Sequence, residues 1–522
     1  MTARRNVGTV LAAVVIALAT LGAGSSSATR AEGADAPSSI AELQRSLRDG
    51  DTTCRAVTAR SLARIREADP DVHAVVETNP DAIAIARRLD ARQRAGRPLG
   101  SLHCVPLLVK ANYQTADTLD TTAGSILMKG FEASEDAFVV RRLRQQGAVV
   151  LGKTNMDEWA HGTAGYSSLG GQTANGLRTT RGPSGSSGGS AAAVAQGMAL
   201  VATGSDTGGS IQGPASWNGV VGLRPTVGLI SRAGIIPFAS FSDVPGPLVG
   251  SVADLARVLG TLTGVDPDDP DTRDSRGHFA TDYTRFLDAD GLRGARIGVL
   301  REMGGFELRG GNADVDAAFE DALATMREGG ARMVDLPSLD VNEATLESLG
   351  QITSSQFHTE LDEWFAGPGR DAPVHSLAEV VQASSQPGVR EVVRVLSSLE
   401  QSLAVSVDAA TFDAAVAQTD RVRDATLDLI RDHELDAIVY PTMMCPAAPL
   451  PGEVDPTWEC TEDGVVFEPP LEYGQIPGAL PTIISPITRL PALTVPGGAL
   501  PGDQRLGINF LGRGFSEGEL IR

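Results

Sequence analysis

The stretch "GPSGSSGGSAAAVAQGMALVATGSDTGGSIQGPAS", residues 182–216, surrounds an alanine-rich apolar run with glycine and serine. A flexible linker is polar throughout, whereas 191–202 reads as a small-residue apolar helix directly after Ser190. A phosphate-binding loop needs a lysine after its last glycine, and this stretch has none. Gly185-Ser186-Ser187-Gly188-Gly189 fits G-x-S-x-G, with Ser187 in the nucleophile's place. That elbow follows a hydrophobic strand, but 178–183 is polar and turn-like. A Ser-His-Asp esterase or hydrolase also needs a histidine base, and His161, His278, His358, His375 and His433 sit in no recognisable catalytic context.

The remaining reading is serine chemistry driven by lysine. A serine hydroxyl is a weak nucleophile until a base takes its proton, and a lysine can serve if burial disfavours its charged form. The chain has only three lysines, Lys110, Lys129 and Lys153, among 44 Lys and Arg residues. Lys110 ends the apolar run "CVPLLVK", the best setting for a desolvated amine.

Around this centre the chain alternates. Spacing of Leu43, Leu47, Val57, Leu62 and Ile65 predicts helix over 39–68, and "PDAIAIARRLDARQRAG" predicts another, closed by Gly96. "DAFVVRRLRQQGAVVLGKTNM" reads as helix, glycine stop and strand; "ARIGVL" and "LDAIVYPT" add strands expected in the same sheet. "ADVDAAFEDALATMREGGARMVDL" reads as a helix and a strand, and 349–434 as mostly helical. With no internal repeat and no long linker, this is a single-domain α/β chain with a mixed sheet.

The 522 residues, 42% of them hydrophobic, suffice for a large core. A net charge of −21 argues against nucleic acid as a partner, since an acidic surface repels phosphates. Arg4 and Arg5, the apolar run 7–21 and small residues through Ala28 read as a secretory signal peptide over 1–28, cleaved near 28–31. The run is shorter than the roughly 20 residues of a spanning helix, so no stable membrane insertion is expected after its removal. An exported, extracellular chain meets oxidising conditions, and Cys54, Cys104, Cys445 and Cys460 allow three pairings, of which 54 with 104 and 445 with 460 is the local one. No cysteine spacing suits a metal, no motif calls for a cofactor, and nothing sets the oligomeric state.

"GSSGGSAAAVA", "DTGGSI" and "GVVGLRPT" together resemble the amidase signature family, the Ser-cisSer-Lys amidohydrolases. "VPLLVKAN", "TTAGS", "GKTNMDEWAHG", "SRAGIIPFA", "DVPGP", "LPALTVPGG" and "GINFLGRGFSEGELIR" follow the family's order over 39–522, here in a secreted bacterial form. The resemblance implies a three-layer α/β/α fold with a central mixed sheet, and no cofactor or metal. It implies Ser210 as nucleophile, Ser186 as bridging serine after a cis peptide, and Lys110 as base. It further implies an oxyanion hole from the amides of Thr207, Gly208, Gly209 and Ser210, support from Asp206 and Ser187, and substrate contacts at Gly162, Thr163 and Ala164. His161 reads as structural.

The implied activity is hydrolysis of a carboxamide, small-molecule or peptide, to an acid plus ammonia or amine through an acyl-enzyme. The alternatives are an inactive binding protein of the same fold and an ammonia-generating amidotransferase A-like subunit. Three positions depart from the common family pattern: Ala111 for an acidic residue, Ser184 for glycine and Gln212 for arginine. The variable stretch 275–434 is expected to build the pocket wall.

Overall fold

The computed structural model describes residues 37–308, 310–462, 464–471 and 477–522; the expected export signal, 1–28, lies outside the described residues. The N-terminal apolar spacing becomes two helices, α1 (Ile40–Asp49) and α2 (Cys54–Val72). Each is opened by a hydroxyl cap: Ser39 accepts from the Glu42 amide and Thr53 from the Ala56 amide. α3 (Ala82–Arg94) ends as expected near Gly96, which takes a left-handed φ of 63°.

Eleven strands form the central sheet. They are β1 (Val75–Thr78), β2 (Pro106–Lys110), β3 (Val149–Thr154), β4 (Val201–Asp206), β5 (Val221–Arg224) and β6 (Val244–Val249). β7 (Arg296–Val299), β8 (Arg332–Asp335), β9 (Ala437–Pro441), β10 (Ala492–Leu500) and β11 (Gln504–Leu511) complete it. Their spatial order is β1-β3-β2-β4-β6-β5-β10-β11-β9-β7-β8. β3, β2 and β4 run parallel, as do β9, β7 and β8, and antiparallel pairs join these two blocks. The strands expected near 295 and 435 are therefore neighbours.

Alternation along β2 shows how the layers arise. Leu107 and Val109 enter an apolar cluster with α1, α4 (Phe138–Gln145) and residues 252–262, while Leu108 enters the opposite cluster with α2 and α5 (Gly188–Ala195). Lys110, two residues past Leu108, leaves the sheet on the α5 side. After β4 come α6 (Gln212–Trp217) and α7 (Val252–Leu262). α8 (Ala313–Glu328) crosses between β7 and β8, and α9 (Glu343–Ala366), α10 (Leu377–Ser384), α11 (Leu396–Ala404) and α12 (Ala409–Asp432) fill the region expected to be helical. Helices cover both faces, giving the three-layer α/β/α arrangement.

One expectation changes. The helix foreseen over 191–202 ends at Ala195; Gly197, at φ 67°, turns the chain, and residues from Val201 join the sheet as β4. An alanine-rich run has no periodicity to separate helix from strand, and the glycine decides it. Cys54 pairs with Cys104 and Cys445 with Cys460, at Cα separations of 5.0 and 5.6 Å. Among the described residues no helix is long and apolar enough to cross a membrane.

Candidate active site

β2 delivers Lys110 into the space between α5 and β4, with its side chain fully buried. Its Nζ lies 2.8 Å from Ser186 Oγ, 2.9 Å from Ser187 Oγ and 2.9 Å from Ser205 Oγ. Burial pushes Lys110 down to about 7, against the opposing pull of the Asp157, Asp206 and Asp243 carboxylates. The amine is thus held among hydroxyls in a site where its neutral form is accessible near neutral pH.

Ser186 and Ser187 stand at the head of α5. The Gly185–Ser186 peptide is cis, as the family resemblance implied. Only glycine fits before it, because a Cβ at position 185 would strike Asp157 Oδ2 and come within 2.9 Å of Thr163 Cα. Ser184 adopts φ 59°, which accounts for glycine being common there. Asp157, unremarked in the sequence, ties this corner together. Its amide donates to Ser186 O (3.2 Å), and its carboxylate accepts from the amides of Ala164 (2.9 Å) and Gly165 (2.9 Å). Burial lifts Asp157 to about 6. Gly162, Thr163 and Ala164 therefore lie beside the cis peptide, with the Ala164 amide already engaged.

β4 ends at Asp206, and Thr207-Gly208-Gly209-Ser210 turns into α6. Asp206 accepts from the amides of Gly209 (2.7 Å) and Ile211 (2.8 Å). The fully buried Arg224 guanidinium of β5 meets Asp206 Oδ1 at 3.0 Å and also donates to Asp206 O and Ser242 O. Gln212 spans the same hub: its Nε2 donates to Thr482 O (3.0 Å) and its Oε1 accepts from Asn509 (2.8 Å). Neither Arg224 nor Asn509 carries a sequence signal of this role beyond lying in "GVVGLRPT" and "GINFLG".

Gly209 differs from its three companions. Its amide is committed to Asp206, whereas among the described residues the amides of Thr207, Gly208 and Ser210 have no acceptor. Its φ of 109° and the clash that a Cβ would make with Thr482 both require glycine. Ser210 is 7% exposed, and its carbonyl accepts from the Ser187 amide (3.1 Å), which fixes the loop against the head of α5.

The histidine reading loses its geometry. His161 stacks on Phe238 at 4.3 Å, sits against Phe357, and is driven down to about 4 by burial. Among the described residues no histidine contacts Ser186, Ser187 or Ser210. The one grouping of metal-type ligands there, Cys54, His103 and Cys104, has its two sulfurs joined to each other.

Beside the lysine network opens a cavity of about 520 Å³ touching Asn112, Ser205 and Thr207. Its wall comes from 232–245 and 268–271 as well as from Glu360, Glu363 and Trp364 of α9. The expectation that 275–434 builds the wall holds only for α9 and Pro368 just after it; the segments after β5 and α7 supply most of the rest, because β6 pairs with β4 and Arg232 binds Asp269 and Asp271.

An amidase family model matches residues 56–521. The crystal structure of native peptide amidase from Stenotrophomonas maltophilia superposes with a TM-score of 0.82 at 36% identity, covering 93% of this chain and 95% of that one. The A-type subunit of glutamyl-tRNA(Gln) amidotransferase from Myxococcus xanthus is 35% identical over 492 residues, 92% of this chain and 94% of the relative. The corresponding subunit from Thermotoga maritima has a TM-score of 0.69 at 26% identity, covering 93% of this chain and 92% of that one. The chain belongs to the amidase family and is an enzyme that cleaves amide carbon–nitrogen bonds.

Proposed function

We propose that this protein is a serine amidohydrolase in which Ser210 attacks the carboxamide, Ser186 relays protons and Lys110 is the base. The observation carrying the reading is the 2.8 Å contact between buried Lys110 Nζ and Ser186 Oγ, beside a glycine loop that presents Ser210. Burial holds Lys110 far below an ordinary lysine, so its neutral amine is within reach at neutral pH.

Neutral Lys110 takes the Ser186 proton, Ser186 takes that of Ser210, and Ser210 Oγ adds to the carbonyl carbon. The resulting oxyanion is met by the amides of Thr207, Gly208 and Ser210; Gly209 braces the loop through Asp206 instead. Lys110 returns its proton through Ser186 to the departing nitrogen, the C–N bond breaks, and an ester to Ser210 remains. Water then adds through the same relay, releasing the acid and restoring Ser210. Ser187 and Ser205 hold the Lys110 amine in place.

The substrates proposed are small-molecule or peptide carboxamides, in keeping with the peptide amidase likeness. The test is ammonia release from a panel of carboxamides by the isolated chain, with Ser210→Ala as control. Turnover by wild type and none by Ser210→Ala is expected; full turnover by Ser210→Ala removes that serine from the reaction. The likeness to amidotransferase subunits favours a second reading, an ammonia-supplying partner in a complex. Release of ammonia without any partner protein separates the two.

We also propose that residues 39–522 form the mature catalytic domain, exported after removal of the N-terminal segment. The two cysteine pairs support this, since such pairs persist in oxidising compartments. Non-reducing mass spectrometry of culture-medium protein is expected to find a chain starting near 29–32 with no free thiol.

A further inference from the structure

The cavity beside Lys110 is lined by more carboxylates than cations. Its lining carries six carboxylates, Asp243, Asp268, Asp269, Asp271, Glu360 and Glu363, against one guanidinium, Arg232. Arg232 is already matched by Asp269 at 2.5 Å and Asp271 at 2.7 Å. Asp243 accepts from Thr207 Oγ1 and the amides of Phe238 and Ala239, and Glu360 from the amide and hydroxyl of Ser240; among the described residues neither makes a direct ion pair, and Arg232 acts on both only from a distance. Asp268 and Glu363 lie exposed at the rim, and among the described residues their carboxylates make no ion pair. Burial chiefly, with the Asp243 charge adding to it and Arg232 opposing, lifts Glu360 to about 7.

A second, independent feature lies at the end nearest Lys110. Asn112 lines the cavity and is 3% exposed; its Nδ2 donates to Ser205 Oγ at 3.1 Å, while its Oδ1 is buried with no partner among the described residues. A buried acceptor left unpaired keeps its full desolvation penalty, and an N–H from a ligand removes that penalty. Ile235, Phe238 and Trp364 add apolar wall to the same cavity.

We infer that the cavity selects carboxamides whose acyl side carries a protonated amine or guanidinium, with the aliphatic stem against the apolar wall and the cation among the carboxylates. Asn112 Oδ1 accepts an N–H from the same substrate. The identity of the reaction rests on the amidohydrolase reading above; the charge selection rests on the cavity. Roughly 520 Å³ holds a side chain of lysine size with part of a peptide backbone.

The test compares Nα-acetyl-lysinamide with Nα-acetyl-norleucinamide, which differ by one charge on nearly the same stem. For wild type the lysine compound is expected to have a kcat/KM at least about tenfold higher at low ionic strength, a ratio that shrinks with added salt. In the rim double variant Asp268→Asn with Glu363→Gln, and separately in Glu360→Gln, the ratio is expected to fall at least about threefold. Because the readout is a ratio, general damage to the enzyme does not imitate the effect. A wild-type ratio near or below one, or a ratio unchanged in both variants, overturns the inference while leaving the amidohydrolase reading standing. If neither amide is hydrolysed, that reading fails, and calorimetric binding of the same two compounds decides the cavity's preference: tighter binding of the lysine compound upholds the inference, and equal binding overturns it.

Discussion

Lys110 and Lys153 leave adjacent parallel strands one register position apart, since Val109 pairs with Lys153 and Lys110 with Thr154. The alternation of the pleat sends them to opposite faces of the sheet. Both are fully buried, and burial pushes both down to about 7. Their partners differ. Lys110 meets three serine hydroxyls, whereas Lys153 donates to the Tyr113 carbonyl at 2.7 Å and reaches Thr121 Oγ1 at 3.4 Å. Tyr113 in turn donates its hydroxyl to Gly204 O, so Lys153 anchors to β3 a segment that Tyr113 itself ties to β4. A desolvated lysine is therefore not in itself a base for catalysis; it must also face a proton that can be taken. The Tyr113 carbonyl has none to give, and the Thr121 hydroxyl directs its own to that same carbonyl.

The comparison breaks most visibly on activity. Lys110→Ala is expected to cost on the order of 10³-fold or more in kcat/KM, as loss of a positioned general base does. Lys153→Met is expected to stay within about tenfold of wild type. Equal losses in the two variants would erase the distinction.

A smaller effect, on the order of 10- to 100-fold in kcat with little change in KM, is expected for Asp206→Asn, which loosens the loop amides without touching the substrate pocket. A change confined to KM contradicts that role. In pH terms, Lys110 must be neutral to act, so kcat/KM is expected to rise with pH and level off above about 7. A profile that falls across that range contradicts a lysine base.

The smallest effects belong to Lys153 and concern stability. Lys153→Met leaves the Tyr113 carbonyl short of a donor and is expected to cost about 1–3 kcal/mol, read as a lowered Tm. Both lysines are near 7 when folded and at an ordinary 10.5 when unfolded, so between those values the unfolded chain binds more protons. Stability is expected to rise with pH across that window, and less steeply in Lys153→Met. An unaltered slope would show that the Lys153 amine titrates as an exposed one does.

Much of this was legible beforehand. The apolar run ending on Lys110 read as a setting for a desolvated amine and is the buried strand β2, and the Gly-Ser blocks pointed to Ser186 and Ser210 through the family resemblance. The apolar spacing over 39–68 gave helix, but not the break at Gly50 that makes it two helices, capped by Ser39 and Thr53. Residues whose role depends on distant backbone were not legible. Asp157 and Arg224 act by holding the amides and carbonyls of other segments, contacts that exist only once the sheet order is set. Gln212, a departure from the family pattern, is explained by Thr482 and Asn509, far along the chain. The cavity wall was missed for the same reason: 232–245 reaches it by folding beside β4, not by any composition of its own.

If Lys110 activates Ser210 through Ser186 and Lys153 takes no part, the rate of covalent modification must follow Lys110 alone. Fluorophosphonate labelling with peptide mapping reads this out, with rates compared in wild type, Lys110→Ala and Lys153→Met. A single adduct on Ser210 is expected, formed at least about a hundredfold more slowly in Lys110→Ala and near the wild-type rate in Lys153→Met. An adduct on Ser186 or Ser187 in place of Ser210, or labelling indifferent to Lys110→Ala, contradicts the relay.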